Sequence, residues 1–108
     1  MDRMRIATLF ADRESLDGKD VVVCGWARTI RDMKGFGFIE LNDGSCFKNL
    51  QGVLDASVLE NYKEIAGQNV GAALVVHGTV VLTPEAKQPL EVKARSVEVE
   101  GKSAPDYP

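Results

Sequence analysis

The stretch KGFGFIELNDGSCFKNLQGVLD, residues Lys34–Asp55, decides the fold. It reads as two strands joined by a tight turn. In the first, Phe36, Phe38 and Glu40 alternate with Gly37, Ile39 and Leu41; in the second, Phe47, Asn49 and Gln51 alternate with Leu50 and Leu54. Successive side chains of a strand point to opposite faces, so each set shares one face of a sheet. Asn42, Asp43, Gly44 and Ser45 supply turn chemistry: small polar side chains, and a glycine that tolerates positive φ. Ile39, Leu41, Leu50 and Leu54 suit a core, which leaves Phe36, Phe38, Asn49 and Gln51 for the outward face. Aromatic rings beside amides make a poor surface for water. They make a good one for unstacked nucleic-acid bases.

On the N-terminal side, VVVCGWARTI (Val21–Ile30) is dense in β-branched residues and predicts a strand, with Gly25 marking a bulge or sharp bend. Trp26, large and set in an apolar strand, is expected in the core. Arg31–Gly35 connects this strand to the next. Residues 1–19 read as an N-terminal arm: Ile6, Leu9 and Phe10 have helical spacing within Met1–Ala11, and Asp17-Gly18-Lys19 marks a turn.

On the C-terminal side, SVLENYKEIA (Ser57–Ala66) predicts a helix. Ser57 and Glu60 form a capping-box pattern, Val58, Leu59, Tyr62, Ile65 and Ala66 an apolar stripe, and Gly67 suits the left-handed position past the end. Ala72–Thr83, with Gly78 mid-run, and Leu90–Val99 are strands separated by a loop at Pro84–Pro89. In the last strand the apolar parity slips from Leu90, Val92 and Ala94 to Val97 and Val99, which predicts a bulge near Arg95–Ser96. GKSAPDYP, residues 101–108, is polar and proline-rich and reads as a linker. The predicted architecture is therefore all-β with one helix: a single domain over residues 1–100, a five-stranded OB-fold barrel with the helix between strands three and four. Such barrels bind oligonucleotides on the face around strands two and three.

Composition narrows the function further. At 44% hydrophobic and 27% charged, the 108 residues suit one ordinary globular domain. No run approaches the ~20 apolar residues of a membrane span, and no secretory leader is visible, so the expected location is the cytoplasm. Cys24 and Cys46 lack any metal-ligand spacing and read as two reduced structural thiols. The single histidine, His77, has no recognisable Ser, Cys or carboxylate partner for catalysis, and Gly35-Phe36-Gly37 lacks the Lys-Ser/Thr of a phosphate loop. No catalytic residue, metal site or cofactor site is expected in this chain. Net charge is −3, unlike a generic polyanion binder, yet Val21–Leu54 is +1 through Arg28, Arg31, Lys34 and Lys48 against Asp32, Glu40 and Asp43. Any polyanion should approach there.

The strings VCGWARTIRDMKGFGFIELNDGSCFKNLQGVLD and LENYKEIAGQNVGAALVVHGTVVLTPEAKQPLEVKARSVEVEG resemble the N-terminal anticodon-binding domain of the asparaginyl-tRNA synthetases, from about Val21 to Pro108. DGSCFKNLQ and TPEAKQP resemble that branch in particular. SAPDYP resembles the hinge into the family's catalytic domain. The resemblance implies that Phe38 stacks on the central anticodon uridine, that Gln51 reads the same base, and that Arg31 contacts the anticodon. Phe36, Arg28, Lys34, Asn49, Thr83, Lys87 and Gln88 are further candidates, the last three through the loop Thr83–Gln88. Aspartyl relatives carry arginines near the end of the fourth strand; here Val81 and Thr83 stand, which fits a different third anticodon base. The implied partners are asparagine tRNA and a catalytic domain on the same polypeptide. The full-length parent would be a homodimer using ATP and magnesium. The chain alone should bind tRNA and not charge it. Three alternatives stand beside this reading: a free-standing single-strand-binding OB module, the equivalent domain of an aspartyl enzyme, and a protein-interaction OB domain.

Overall fold

A computed structural model describes residues 3–86 and 88–101. In chain order the elements are α1 (Ile6–Ala11), α2 (Arg13–Leu16), β1 (Asp20–Asp32), β2 (Phe36–Asn42), β3 (Leu50–Asp55), α3 (Tyr62–Ala66), β4 (Ala73–Leu82) and β5 (Leu90–Gly101). The strands close into a barrel in the order β1-β2-β3-β5-β4. β1 makes closure possible by serving two partners. Its first half, Asp20–Trp26, pairs with β4, and its second half, Trp26–Asp32, with β2, both antiparallel. The closing pair, β3 with β5, is parallel and short, Gly52 against Val92 and Val53 against Lys93. This is the OB-fold arrangement, with α3 between the third and fourth strands.

The core follows the alternation. Val21, Val23, Ile39, Leu41, Leu50, Leu54, Val80 and Val92 point inward and are buried. Ile6, Leu9 and Phe10 of α1 and Leu59, Tyr62 and Ile65 around α3 join them. α1 is tied to the barrel by the β2–β3 loop: Asp43 Oδ2 accepts the Ile6 N–H at 2.9 Å and Ser45 Oγ accepts the Ala7 N–H at 2.9 Å. The bulge expected near Arg95–Ser96 is present. His77 pairs with Ser96 and Gly78 with Ala94, so Arg95 is the extra residue.

Several expectations are corrected. Beside the expected helix between the third and fourth strands, the N-terminal arm holds two short helices, α1 and α2. The turn after β2 is not tight: Asp43–Asn49 is a seven-residue loop, Phe47 lies in it rather than in a strand, and its ring is fully exposed. Gly44 does take a positive φ of 80° there. The β1 bulge sits between Ala27 and Thr29, at Arg28, not at Gly25. Gly25 instead allows a close approach, since a Cβ there would lie 2.8 Å from the Asn42 carbonyl oxygen. Trp26 is 39% exposed, not core. Val21, Val23 and Ala27 hold the inward parity of β1, so Trp26 points out.

The helix over Ser57–Ala66 shortens to Tyr62–Ala66 and the capping box does not form. Asp55 Oδ1 takes both the Ser57 N–H, at 2.9 Å, and the Ser57 hydroxyl, at 2.7 Å. This local turn outcompetes the cap, as serine and aspartate commonly allow. Val58 is exposed, and Gly67 ends the helix at φ −87°, not in the left-handed region. The expected linker from 102 to 108 lies outside the described residues, while Gly101 is still strand. No helix among the described residues is long and apolar enough to cross a membrane.

Candidate nucleic-acid interface

The outward face of β1, β2, β3 and β5 is built row by row from strand register. Arg31 lies opposite Phe38, and Phe38 opposite Val53, which pairs with Lys93. The next row is Thr29, Glu40 and Gln51, and beyond it Trp26 lies opposite Asn42. Arg31, Phe38 and Gln51, named from the sequence, therefore share one surface. Gln51 is the diagonal neighbour of Phe38, at the roughly 7–8 Å typical of such pairs, which matches the width of a base.

Phe36 is 46% exposed and stands edge-on to Phe38, with ring centroids 5.9 Å apart and planes at 89°. The edge-on contact braces the Phe38 ring, and the pair leaves apolar surface open to solvent. Beside it runs a chain of amides and carboxylates. Gln51 Nε2 donates to Glu91 Oε2 at 3.3 Å, Asn49 Nδ2 to Glu40 Oε2 at 3.2 Å, and Asn42 Nδ2 to Asn49 Oδ1 at 3.0 Å. With Nε2 turned to Glu91, the Gln51 carbonyl can accept an N–H from a base edge.

Two connections bound the face. At the Phe36–Phe38 end is the β1–β2 tip, where Lys34 takes a φ of 61° and its N–H donates to Asp32 Oδ1 at 2.9 Å. Hydrogen bonds from Lys34 and then Tyr62 hold the Asp32 carboxyl below the usual carboxylate range. At the Gln51 end is the β4–β5 loop. Thr83 closes it by donating its N–H to Pro89 O at 2.8 Å and its hydroxyl to Gln88 O at 2.7 Å. The Gln88 side-chain oxygen is buried without a partner among the described residues, and Lys87 lies outside them. Arg28 is exposed at the β1 bulge. Among the described residues the ion pairs are Arg3–Glu100 and Arg95–Asp20, so none engages Arg28, Arg31, Lys34 or Lys93.

Charge is mixed along the face. Arg31, Lys34 and Lys93 stand toward the aromatic end, where Asp55, opposite Phe36, and Asp32 also lie, and the carboxylates of Glu40 and Glu91 surround the amide end. Glu91 and Lys93 were not singled out from the sequence. Their place on this face comes from the parallel β3–β5 pairing, which no periodicity announces. Trp26 was missed for a different reason: its size argued for the core, while the parity that turns it outward was not carried past Gly25.

The profile of a family described as the OB-fold nucleic acid binding domain, named for the tRNA anticodon, matches residues 21–100. An asparagine–tRNA ligase of Acetivibrio thermocellus is 55% identical over 103 residues, covering 95% of this chain and 22% of that protein. One from Clostridium kluyveri is 48% identical over 108 residues, covering 100% of this chain and 23% of that protein. The chain thus spans less than a quarter of the length of these curated relatives. Among solved structures, asparaginyl-tRNA synthetase from Pyrococcus horikoshii complexed with asparaginyl-adenylate superposes with a TM-score of 0.82 at 21% identity, covering 96% of this chain and 23% of that one. At that identity the likeness speaks for the fold. With the profile spanning both the barrel and its outward face, the chain belongs to the tRNA anticodon family of OB-fold nucleic acid binding domains.

Proposed function

We propose that this chain is the anticodon-binding portion of an asparaginyl-tRNA synthetase, holding the asparagine anticodon loop while the rest of the enzyme attaches asparagine to the tRNA. The observation that carries the reading is the meeting of Arg31, Phe38 and Gln51 on one outward face. The amino acid is taken from the relatives, which are asparagine–tRNA ligases at 48–55% identity. In this reading ATP and magnesium act in the portion beyond the barrel, and the full enzyme is a cytoplasmic homodimer.

Recognition divides into two kinds of physics. A base stacks on Phe38, edge-supported by Phe36, and stacking tolerates any base because every base has a π-face. Gln51 discriminates: its carbonyl accepts the ring N–H that uracil presents and cytosine lacks. Arg31, directly opposite Phe38, meets the phosphate or base beside the stack. Arg28, Lys34, Asn49, Thr83 and Gln88 are the candidates for the flanking positions, together with Lys87, a candidate from the sequence alone.

The test is a matrix of affinities for anticodon stem-loops varied only at the central base. Phe38→Ala weakens binding by roughly 1–3 kcal/mol whatever that base is. Gln51→Ala weakens binding to the uridine loop and flattens the preference for uridine over cytidine. Full uridine preference in Gln51→Ala would remove the reading role. Circular dichroism on each variant confirms that it is folded.

A further inference from the structure

We propose that Tyr62 and Asp32 are a positioning pair for this recognition: they clasp the β1–β2 hairpin to α3 and so set the relation between Arg31 and Phe38. The inference rests on the reading of the outward face as an RNA platform.

The Tyr62 ring is buried in the core, 7% exposed, but its hydroxyl emerges toward the hairpin. It reaches Asp32 Oδ1 at 2.8 Å and also contacts the Phe36 carbonyl oxygen. Asp32 Oδ1 simultaneously accepts the Lys34 N–H at 2.9 Å. Asp32 pairs with Gly37, the last pair of the hairpin, and the adjacent pair is Arg31 with Phe38. The clasp therefore grips the hairpin one position from the two side chains that meet RNA, and touches the backbone of Phe36 as well.

Three further features point the same way. The tip is a two-residue turn, Lys34 at a φ of 61° and Gly35 at 99°, closed by the Met33 N–H donating to the Phe36 carbonyl at 2.8 Å; the left-handed region costs Lys34, which bears a side chain, energy that the clasp helps to offset. Gly37 admits the hydroxyl, since a Cβ there would lie 2.9 Å from it. Asp32 is a carboxylate beside the path of a polyanion, which weakens RNA binding by repulsion. Its two donors give it a task that offsets that repulsion. A phenylalanine at position 62 would fill the core equally well. The hydroxyl adds orientation, and orientation of the hairpin is what a stack-and-clamp site requires.

The experiment uses the 108-residue chain and the anticodon stem-loop of asparagine tRNA, with Tyr62→Phe, Asp32→Ala and Asp32→Asn. Affinity is measured where urea unfolding shows each variant folded. In the free protein, nuclear Overhauser contacts between the Arg31 side chain and the Phe38 ring are recorded. Tyr62→Phe should bind about three- to tenfold more weakly than the unmutated chain, the scale of one lost hydrogen bond. Asp32→Asn and Asp32→Ala are both neutral, but only asparagine keeps an acceptor for the two donors. Asp32→Asn should recover most of the affinity that Asp32→Ala loses, and the Arg31–Phe38 contacts should weaken in step with affinity. A merely structural role would lower the urea midpoint and leave the affinity of the folded protein unchanged. Equal binding by Tyr62→Phe and the unmutated chain, with unchanged contacts, overturns the clasp alone. Absence of binding by the unmutated chain overturns both the reading of the face and this inference.

Discussion

At the scale of the residue, Trp26 of β1 and Phe38 of β2 show what parity can decide. Phe38 was legible as a surface residue because Ile39 and Leu41 claim the inward face beside it. Trp26 obeys the same rule, but hydrophobic size argued against the rule and was followed, wrongly. Gly37 is a residue-scale case that parity reaches only in part. It lies at an inward position of β2, where a larger side chain suits the pattern. Yet a Cβ there would come within 2.4 Å of the Arg31 carbonyl oxygen. Backbone cannot yield as a flexible side chain can, so Gly37→Ala should destabilise the fold by about 1–3 kcal/mol in urea unfolding, the range for overpacking. An unchanged midpoint would mean that the hairpin can open to take a methyl group.

At the scale of the element, strands were legible along their length, while helices were legible in place but not in extent. β2 and the outward set of β3 follow period-two alternation, and the β5 bulge at Arg95 was visible as a slip in parity. α3 lost its first turn because Asp55, the end of a neighbouring strand, captured Ser57 before Glu60 could complete a cap. The β2–β3 loop was read as a turn only, whereas it is the anchor of α1. Burial pushes the Asp43 carboxyl up, but hydrogen bonds from Ser45 and the Ile6 N–H outweigh it and leave the group below its usual range. A carboxyl lowered in the folded state contributes stability above its unfolded value and loses that contribution as pH falls through the folded one. The stability contributed by the tie of α1 to the barrel should therefore be full above pH of about 4, the ordinary aspartate value, and be lost as pH falls from there through the lower folded value. Asp43→Ala removes the acceptor of three hydrogen bonds, from the Ile6 N–H and from the Ser45 N–H and hydroxyl; it should cost about 1.5–3 kcal/mol at pH 7, the scale of a hydrogen bond to a charged group, and should flatten the acid limb of the stability profile. An acid limb that keeps its shape in that variant would mean that other carboxylates govern it.

At the scale of the whole molecule, the barrel was legible from the order of strands and helix, while the parallel pairing that closes it was not. Nothing in the sequence of Leu50–Asp55 says that β5 will lie beside it in parallel, and so the carboxylates at the amide end went unseen. They bear on how RNA is held. Four cations, Arg28, Arg31, Lys34 and Lys93, stand on or beside the face, in a chain of net charge −3. Binding of the stem-loop should fall with salt on a slope of about −3 or shallower on logarithmic axes, each single-strand phosphate contact contributing about 0.7. A much steeper slope would mean that a backbone groove, not a stacking platform, holds the RNA. The closing seam also has a thermal meaning. Phe38 stands on strands paired along most of their length, whereas Gln51 meets Glu91 across a junction of two residue pairs, Gly52 with Val92 and Val53 with Lys93. Short ladders open at lower free energy than long ones, and amide hydrogen exchange at the seam should reveal it. Warming should then erode the preference for uridine while the affinity contributed by stacking persists. In this molecule fidelity would melt before grip, and a pair of affinities followed from low to moderate temperature would show the two curves separating.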